Sequence, residues 1–285
     1  MRHVRWRFPI VLTGFVAGAV AAGSGQAAPS AQAWLDAYRE PASRLVGAAL
    51  ADTAAWARLA ELTDTFGHRL SGSKGLDDAI DWAISEMSRD GLEHVRGEKV
   101  MVPHWVRGRE RAELVSPSPH PLVMLGLGNS VGTPPEGIEA EAVVVGGFAE
   151  LDALGASLKG KIVVYNVPWA GYGPTVQYRS AGASRAAAYG AVGVLVRSVG
   201  QPGLRTPHTG ALSYAPDQPK IPAAAIAQED ADRLQRIQDR GHTLVVRLVM
   251  EARMLPDAES ANVIGEIVGR ERPEEVVVLG CHLDS

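Results

Sequence analysis

The sequence predicts an α/β fold in which a helical N-terminal part precedes a β-rich module, followed by a return to α/β structure. Residues 31–90 carry apolar side chains at helical spacing, whereas beyond Val115 short β-like runs alternate with Gly and Pro. Residues 276–279 are continuously apolar, as in a strand buried on both faces of a sheet. We therefore expect four parts: residues 1–27, 28–115, 116–256 and 257–285.

The first part is predicted to be a signal peptide. Arg2, Arg5 and Arg7 precede an apolar run over residues 10–22, and small residues lead to a cleavage site near Ala27. The run is short for a bilayer span, so an uncleaved membrane anchor is the weaker alternative. We expect a secreted or periplasmic protein without a stable membrane anchor.

Two packed helices are predicted between residues 31 and 65, with Asp52 capping the second. Their apolar positions are Leu35, Tyr38, Leu45, Val46, Trp56, Leu59 and Leu62. A third helix is predicted over residues 74–90, with Ser73 as its N-cap and Gly91 at its end.

The middle module is predicted to contain six strands and two short helices. The strands are expected at residues 122–127, 142–145, 161–165, 192–196, 223–226 and 244–249. The helices are expected at residues 184–190 and 229–240.

Two further strands are expected at residues 262–268 and 276–279. A strand buried on both faces requires neighbouring strands and crossover helices, and no sequence follows that could supply them. We therefore expect that Ser285 is not the natural end of the domain and that the chain is an N-terminal fragment.

Composition excludes three classes of protein. With 28 Lys and Arg against 32 Asp and Glu, the net charge is −4, which is unsuited to binding nucleic acid through bulk positive charge. A single cysteine, Cys281, excludes an internal disulfide framework and a cysteine-based zinc finger.

The strongest chemical signal follows the last apolar run, as Cys281-His282-Leu283-Asp284-Ser285. In extended chain, residues two apart project to the same side, so Asp284 can accept the ring N–H of His282 and leave the other ring nitrogen for a metal. The alternative is a surface histidine beside an acidic turn residue. Cys281 could be a thiol nucleophile, but a small buried residue is the favoured interpretation.

Two weaker patterns allow other interpretations. Gly128-Asn129-Ser130-Val131-Gly132 matches a serine hydrolase elbow, but Thr133-Pro134-Pro135 cannot readily begin the required helix, so a loop is predicted. Arg107, Arg109 and Arg111 follow Trp105 and could form an anion site, although a solvated basic loop is favoured.

Several longer stretches, in the same order, closely resemble the carboxypeptidase Q family, also called plasma glutamate carboxypeptidase. They lie at residues 62–74, 102–108, 125–128, 132–138, 160–166, 175–179, 197–199, 207–210 and 280–285. The likeness covers nearly the whole chain beyond the predicted signal peptide.

The resemblance implies an α/β zinc-exopeptidase catalytic domain, incomplete here, with a β-rich protease-associated domain inserted at residues 116–256. It also implies two zinc ions per complete active site, which activate a water for hydrolysis of dipeptides or short unblocked peptides. On this resemblance His282 ligates one zinc and Asp284 orients His282. The other ligands, a bridging aspartate, a Glu-Glu pair, an aspartate and a histidine, are expected beyond Ser285, so this fragment alone is expected to be inactive.

The resemblance also makes a homodimer possible, although no residue fixes an interface. The rival interpretation is a non-catalytic binding module formed by the protease-associated domain. A serine hydrolase acting through Ser130 is the third alternative.

Overall fold

The computed structural model describes residues 31–285. The predicted signal peptide at residues 1–27 lies outside the described residues. Among the helices of residues 31–285, none is long and apolar enough to cross a membrane.

The first two helices are α1 (Ala31–Ala51) and α2 (Ala54–Phe66), as the apolar spacing predicted. Asp52 Oδ1 accepts a hydrogen bond from Ala54 N at 2.8 Å, which satisfies one free donor at the start of α2. The predicted packing through their apolar side chains is wrong, because six of these side chains are exposed: Leu35, Tyr38, Leu45, Val46, Trp56 and Leu59. Spacing predicts an apolar face but cannot supply the surface that covers it.

Helix α3 (Lys74–Arg89) forms where the sequence predicted it. Ser73 Oγ accepts a hydrogen bond from Leu76 N at 3.3 Å, and Gly91 follows the helix with φ +82°. The buried side of α3 carries Leu76, Ala79, Ile80 and Ala83 and packs on a two-stranded ribbon.

That ribbon pairs β1 (Glu93–Val106) antiparallel with β10 (Arg253–Glu266). The register places Val100 opposite Ser260 and Val106 opposite Arg253, with a bulge between Val102 and His104. The predicted strand at residues 262–268 therefore begins earlier, because β1 offers a partner along its full length. In the chain, β1 directly precedes the middle module and β10 directly follows it.

The middle module is built on one eight-stranded mixed sheet. Its strands are β2 (Glu110–Ser116), β3 (His120–Leu122), β4 (Met124–Gly126), β5 (Ile138–Val145), β6 (Ile162–Tyr165), β7 (Gly193–Arg197), β8 (Ala223–Ile226) and β9 (Leu244–Met250). Their order is β3-β2-β9-β5-β6-β7-β8-β4, and β5 to β8 are parallel.

Helices cover both faces of this sheet. They are α4 (Phe148–Leu154), a 3₁₀ turn (Gly155–Leu158), α5 (Tyr172–Ser180), α6 (Gly182–Ala187) and α7 (Gln228–Asp239). Leu234 of α7 packs on one face with Leu248, while Leu151 of α4 and Ala186 of α6 pack on the other. Burial on both faces explains why β6 and β8 consist wholly of buried residues.

The predicted buried strand at residues 276–279 is wrong. These residues form no strand, and their side chains are 77% to 93% exposed. A strand needs a hydrogen-bonded neighbour, and both sheets of the described chain are assembled from other residues. Apolar composition alone therefore did not determine the structure of this segment.

Candidate active site

The segment that carries His282 and Asp284 is fixed to the chain by Arg69. Arg69 N donates to Ser285 O, and Ser285 N donates to Arg69 O, both at 2.9 Å. The Arg69 side chain adds a third bond, from Nε to Leu283 O at 2.9 Å. Residues 283–285 therefore run beside residues 68–71, although more than two hundred positions separate them in sequence.

Arg69 is held from the other side by the end of α2. Its Nη1 donates to Gly67 O at 2.8 Å and to Leu62 O at 3.5 Å, and the residue is only 8% exposed. One buried guanidinium thus donates to three carbonyl oxygens, and its planar geometry fixes their relative positions. No local sequence rule predicted this role, and only the resemblance over residues 62–74 drew attention to the segment.

His282 and Asp284 lie side by side, with Nδ1 of the ring 2.9 Å from Oδ1 of the carboxylate. The His282 side chain is 89% exposed, so Nε2 on the opposite side of the ring is open to solvent. An imidazole whose Nδ1–H donates to a carboxylate presents Nε2 as a free lone pair, which is the arrangement of a zinc-binding histidine. Ligation by His282 and orientation by Asp284 remain predictions.

The described residues do not form a complete metal site. Within residues 31–285 no group of three or more His, Cys, Asp or Glu side chains converges on one point. Zinc takes three or four protein ligands, and the donor set here amounts to one imidazole with its carboxylate partner. Within the described part of the chain, the residues fit one ligand position and no more.

A cavity of about 600 Å³ opens beside this pair. Asp284 and Ser285 contribute one wall, together with His68, Leu70 and Ser71. The other walls come from Pro103, Trp105 and Arg107 at the end of β1, and from two loops of the eight-stranded sheet near Asn129 and His208. Its size and its mixture of apolar and polar groups suit a short peptide.

The two loops are joined to each other by backbone hydrogen bonds. Gly128 N donates to Gly210 O, and Leu212 N donates to Gly128 O, both at 3.0 Å. Asn129, at φ +69°, donates its side-chain amide to Leu212 O at 3.2 Å. This left-handed conformation is tolerated by asparagine and turns the loop toward the cavity.

Arg179 of α5 supports the second loop from behind. Its buried guanidinium donates to Thr209 O at 3.0 Å, and its Cζ lies 2.5 Å from the place that a Cβ on Gly210 would occupy. Gly210 is therefore required by the close approach of Arg179.

Several sequence interpretations can be compared with this geometry. Ser130 is buried and its Oγ accepts Ala223 N at 2.9 Å, in a loop that no helix follows, so the predicted loop is confirmed. Cys281 is exposed, which contradicts the expectation of a buried residue, because residues 276–281 form no strand to enclose it.

His68 and His208 line the cavity, although neither has metal-ligand spacing in the sequence that could have indicated this.

Comparison with known proteins adds the family context. Residues 118–234 match the model of the PA domain. Carboxypeptidase Q of Bos taurus is 48% identical over 235 residues, which cover 82% of this chain and 50% of that protein. For Homo sapiens the identity is 47% over 235 residues, with the same shares of 82% and 50%. The predicted resemblance to the carboxypeptidase Q family is confirmed.

Carboxypeptidase Q of Xenopus laevis is 46% identical over 254 residues, covering 88% of this chain and 54% of that protein. The chain spans about half the length of the carboxypeptidase Q relatives it matches. The likeness to carboxypeptidase Q thus covers more of the chain than the PA domain does.

Solved structures agree with the carboxypeptidase Q similarity. A peptidase M28 precursor from Shewanella amazonensis has a TM-score of 0.82 and 36% identity, covering 88% of this chain and 58% of that one. BSAP, a zinc aminopeptidase from Bacillus subtilis, shares the fold at a TM-score of 0.50 and 20% identity, covering 74% of this chain and 46% of that one. The predicted α/β fold with an inserted protease-associated domain is confirmed.

Proposed function

We propose that this chain forms part of a secreted or periplasmic zinc-dependent exopeptidase of carboxypeptidase or dipeptidase type, acting on short peptides. The observation that carries the proposal is the contact between His282 and Asp284 at the edge of a peptide-sized cavity. The similarity to carboxypeptidase Q supports the reaction class, and the shared fold of a zinc aminopeptidase supports zinc as the metal.

The roles of the described residues follow from their contacts. Asp284 accepts the Nδ1 proton of His282 and thereby keeps Nε2 free for zinc. Arg69 holds residues 283–285 in register beside the cavity. When bound, zinc would polarise the scissile carbonyl and lower the pKa of a water molecule. Two zinc ions per complete site are proposed from the resemblance alone.

The same donor count leads us to propose that residues 28–285 by themselves neither hold zinc tightly nor cleave peptides. One imidazole and one carboxylate are too few ligands for one structural or catalytic zinc, and still fewer for two. Residues 116–256 are proposed as the protease-associated insertion and residues 257–285 as the start of the resumed catalytic domain.

A second candidate is a binding module without chemistry of its own. It is favoured by the eight-stranded sheet, which has buried apolar clusters on both faces and needs no further element to cover them. In this alternative the two loops near Asn129 and His208 would contact a partner protein.

The deciding experiment compares two proteins, one expressed from the complete natural coding sequence and the other limited to residues 28–285. We expect zinc-dependent hydrolysis of dipeptides by the complete product, abolished by a chelator and restored by zinc, and none by residues 28–285. Absence of hydrolysis in both proteins would favour the binding module. Zinc-dependent hydrolysis by residues 28–285 would refute the inactivity proposed for them.

A further inference from the structure

Arg107 differs from the two arginines that follow it. Arg109 is 91% exposed and forms an ion pair with Glu251 at 2.6 Å, and Arg111 is also exposed. The Arg107 side chain is only 15% exposed and lines the same cavity as Asp284. The expected solvated basic loop therefore describes Arg109, whereas Arg111 is exposed but lies in β2 and Arg107 is largely buried.

The Arg107 guanidinium is held in place by contacts that leave most of its donors unused. Its Cζ lies 5.3 Å from the centroid of the Trp105 ring, which is itself fixed by a bond from its Nε1 to Ser130 O at 2.8 Å. Nη2 donates to Gly126 O at a long 3.4 Å, while the buried Nε makes no hydrogen bond. A guanidinium has five N–H donors, and a buried one is stabilised by accepting partners.

The nearest carboxylate does not satisfy this group. Glu110 Oε1 is 3.5 Å from Arg107 Nε, and both oxygens of Glu110 already accept Gly126 N, at 3.0 and 2.9 Å. Among the described residues that line the cavity, Arg107 is the only lysine or arginine, and Asp284 is the only carboxylate. Because Asp284 is engaged with His282, Arg107 is the charged group of the cavity lining that can receive an anionic ligand.

We propose that Arg107 binds the C-terminal carboxylate of the peptide substrate, and so selects peptides with a free carboxyl end. This proposal rests on the proposed function, since it places the scissile bond toward the cavity wall formed by Asp284, the partner of His282. The unused N–H donors suit a planar carboxylate, which accepts paired hydrogen bonds from one guanidinium. Leu70, Pro103, Leu125 and Pro207 supply apolar walls for the substrate's side chain.

The test uses the complete protein with two substrates, alanyl-alanine and alanyl-alanine amide, which differ in the charge at the carboxyl end. The variants are Arg107→Met, Arg107→Lys and Glu110→Gln, with Arg109→Met as the matched control on an exposed arginine. Both kcat/KM and KM are measured for each substrate. Binding of alanyl-alanine to the chelator-treated protein is measured separately by calorimetry.

We expect Arg107→Met to lower kcat/KM for alanyl-alanine by about 10- to 100-fold, mainly through KM, with little effect on the amide. Arg107→Lys should recover part of the loss, because it keeps the charge but not the fork. Arg109→Met should leave both substrates unaffected. Glu110→Gln should keep the preference for the free carboxylate, since it disrupts the ion pair but leaves the guanidinium in the cavity.

Two results would overturn the proposal. One is an equal loss for both substrates in Arg107→Met; the other is loss of the preference in Glu110→Gln as well, since a purely structural ion pair predicts that both variants behave alike. If the wild-type protein hydrolyses neither peptide, the proposed function fails, and the calorimetry still decides about Arg107. Binding of alanyl-alanine that Arg107→Met weakens supports the carboxylate site, and binding that it leaves unchanged overturns it.

Discussion

Arg69 and Ser285 exchange both of their backbone hydrogen bonds, each at 2.9 Å, and so form a one-residue antiparallel pair. Arg69 is buried and Ser285 lies on the cavity wall, so the pair transmits the position of α2 and the following loop to the segment that carries His282. A small displacement of residues 67–70 would move the candidate zinc ligand by a similar amount.

Replacing Arg69 by Met should destabilise the fold. The variant loses the bond from Nε to Leu283 O and the bonds from Nη1 to Gly67 O and Leu62 O, leaving these carbonyls poorly satisfied. We expect the free energy of unfolding to fall by about 2–4 kcal/mol in urea titrations. Arg96→Met is the control, because Arg96 forms solvent-exposed ion pairs, and such pairs contribute little to stability. Equal losses in the two variants would contradict the role of Arg69.

Asp284→Asn should weaken zinc binding by the complete protein. The neutral amide lacks the carboxylate charge and can turn its NH₂ group toward Nδ1, so the ring would lose the charged partner proposed to set its tautomer and orientation. We expect the zinc dissociation constant to rise by about 10- to 100-fold in competition with a chelating dye. His242→Ala changes an exposed histidine outside the cavity and should have no effect. If both variants bind zinc like the wild type, Asp284 has no orienting role.

Gly210→Ala should strain the loop that carries His208. The added Cβ would lie 2.5 Å from Arg179 Cζ, and this guanidinium is buried and bonded to Thr209 O, so it cannot move aside freely. We expect a loss of about 1–3 kcal/mol in the free energy of unfolding. Gly173→Ala provides the control, since a Cβ on Gly173 meets no atom within 4 Å. A stable Gly210→Ala protein would show that Arg179 and the loop adapt.

Glu110 predicts a pH dependence of stability. Burial raises the pKa of its carboxyl, although the Gly126 N–H and the charge of Arg107 lower the pKa in part. Because the folded-state pKa lies above the unfolded value, this group's contribution is full below about pH 4.5 and is lost as the pH rises through the raised pKa. Glu110→Gln should remove this pH dependence, so the stability difference should shift in favour of the variant as the pH rises from about 4.5 through the raised pKa.

Glu251→Gln is the matching control, with the opposite sign. Hydrogen bonds from Arg109 lower the pKa of the Glu251 carboxyl, so its contribution is present above the ordinary pKa and is lost as the pH falls through the lowered pKa. The stability difference should therefore shift in favour of Glu251→Gln on acidification. Urea titrations at several pH values measure the free energy of unfolding of both variants and of the wild type. Identical pH slopes for the two variants would show that burial of Glu110 does not govern its titration.

Local sequence rules predicted the parts of the fold that local interactions determine. Ser73 and Gly91 mark the ends of α3, and short apolar runs located the central strands β5 to β9 to within a few residues. The pairing of β1 with β10 was not predictable in this way, because its partners lie about 150 residues apart in sequence. Burial on both faces was predicted wrongly for residues 276–279, since such burial depends on neighbouring strands and helices rather than on composition.

The candidate site was only partly predictable for the same reason. A two-residue spacing was enough to bring Asp284 to His282. The difference in burial between Arg107 and Arg109 was not visible in their spacing. It arises from contacts of Arg107 with the Trp105 ring and with Gly126 at the end of β4. His208 and Asn129 line the cavity from two loops that are distant in sequence from each other and from Asp284.

Val106 and Arg253 face each other across the ribbon, so residues 107–252 begin and end at one point. A tight turn could join these two positions without rethreading either strand. The intervening stretch could thus be gained or lost in evolution as a single cassette, with the host strands left intact. Such a loss would take Arg107, Asn129 and His208 with it while leaving His282 in place. The exchange of one cassette could therefore change the walls of the cavity without altering His282, the proposed metal ligand.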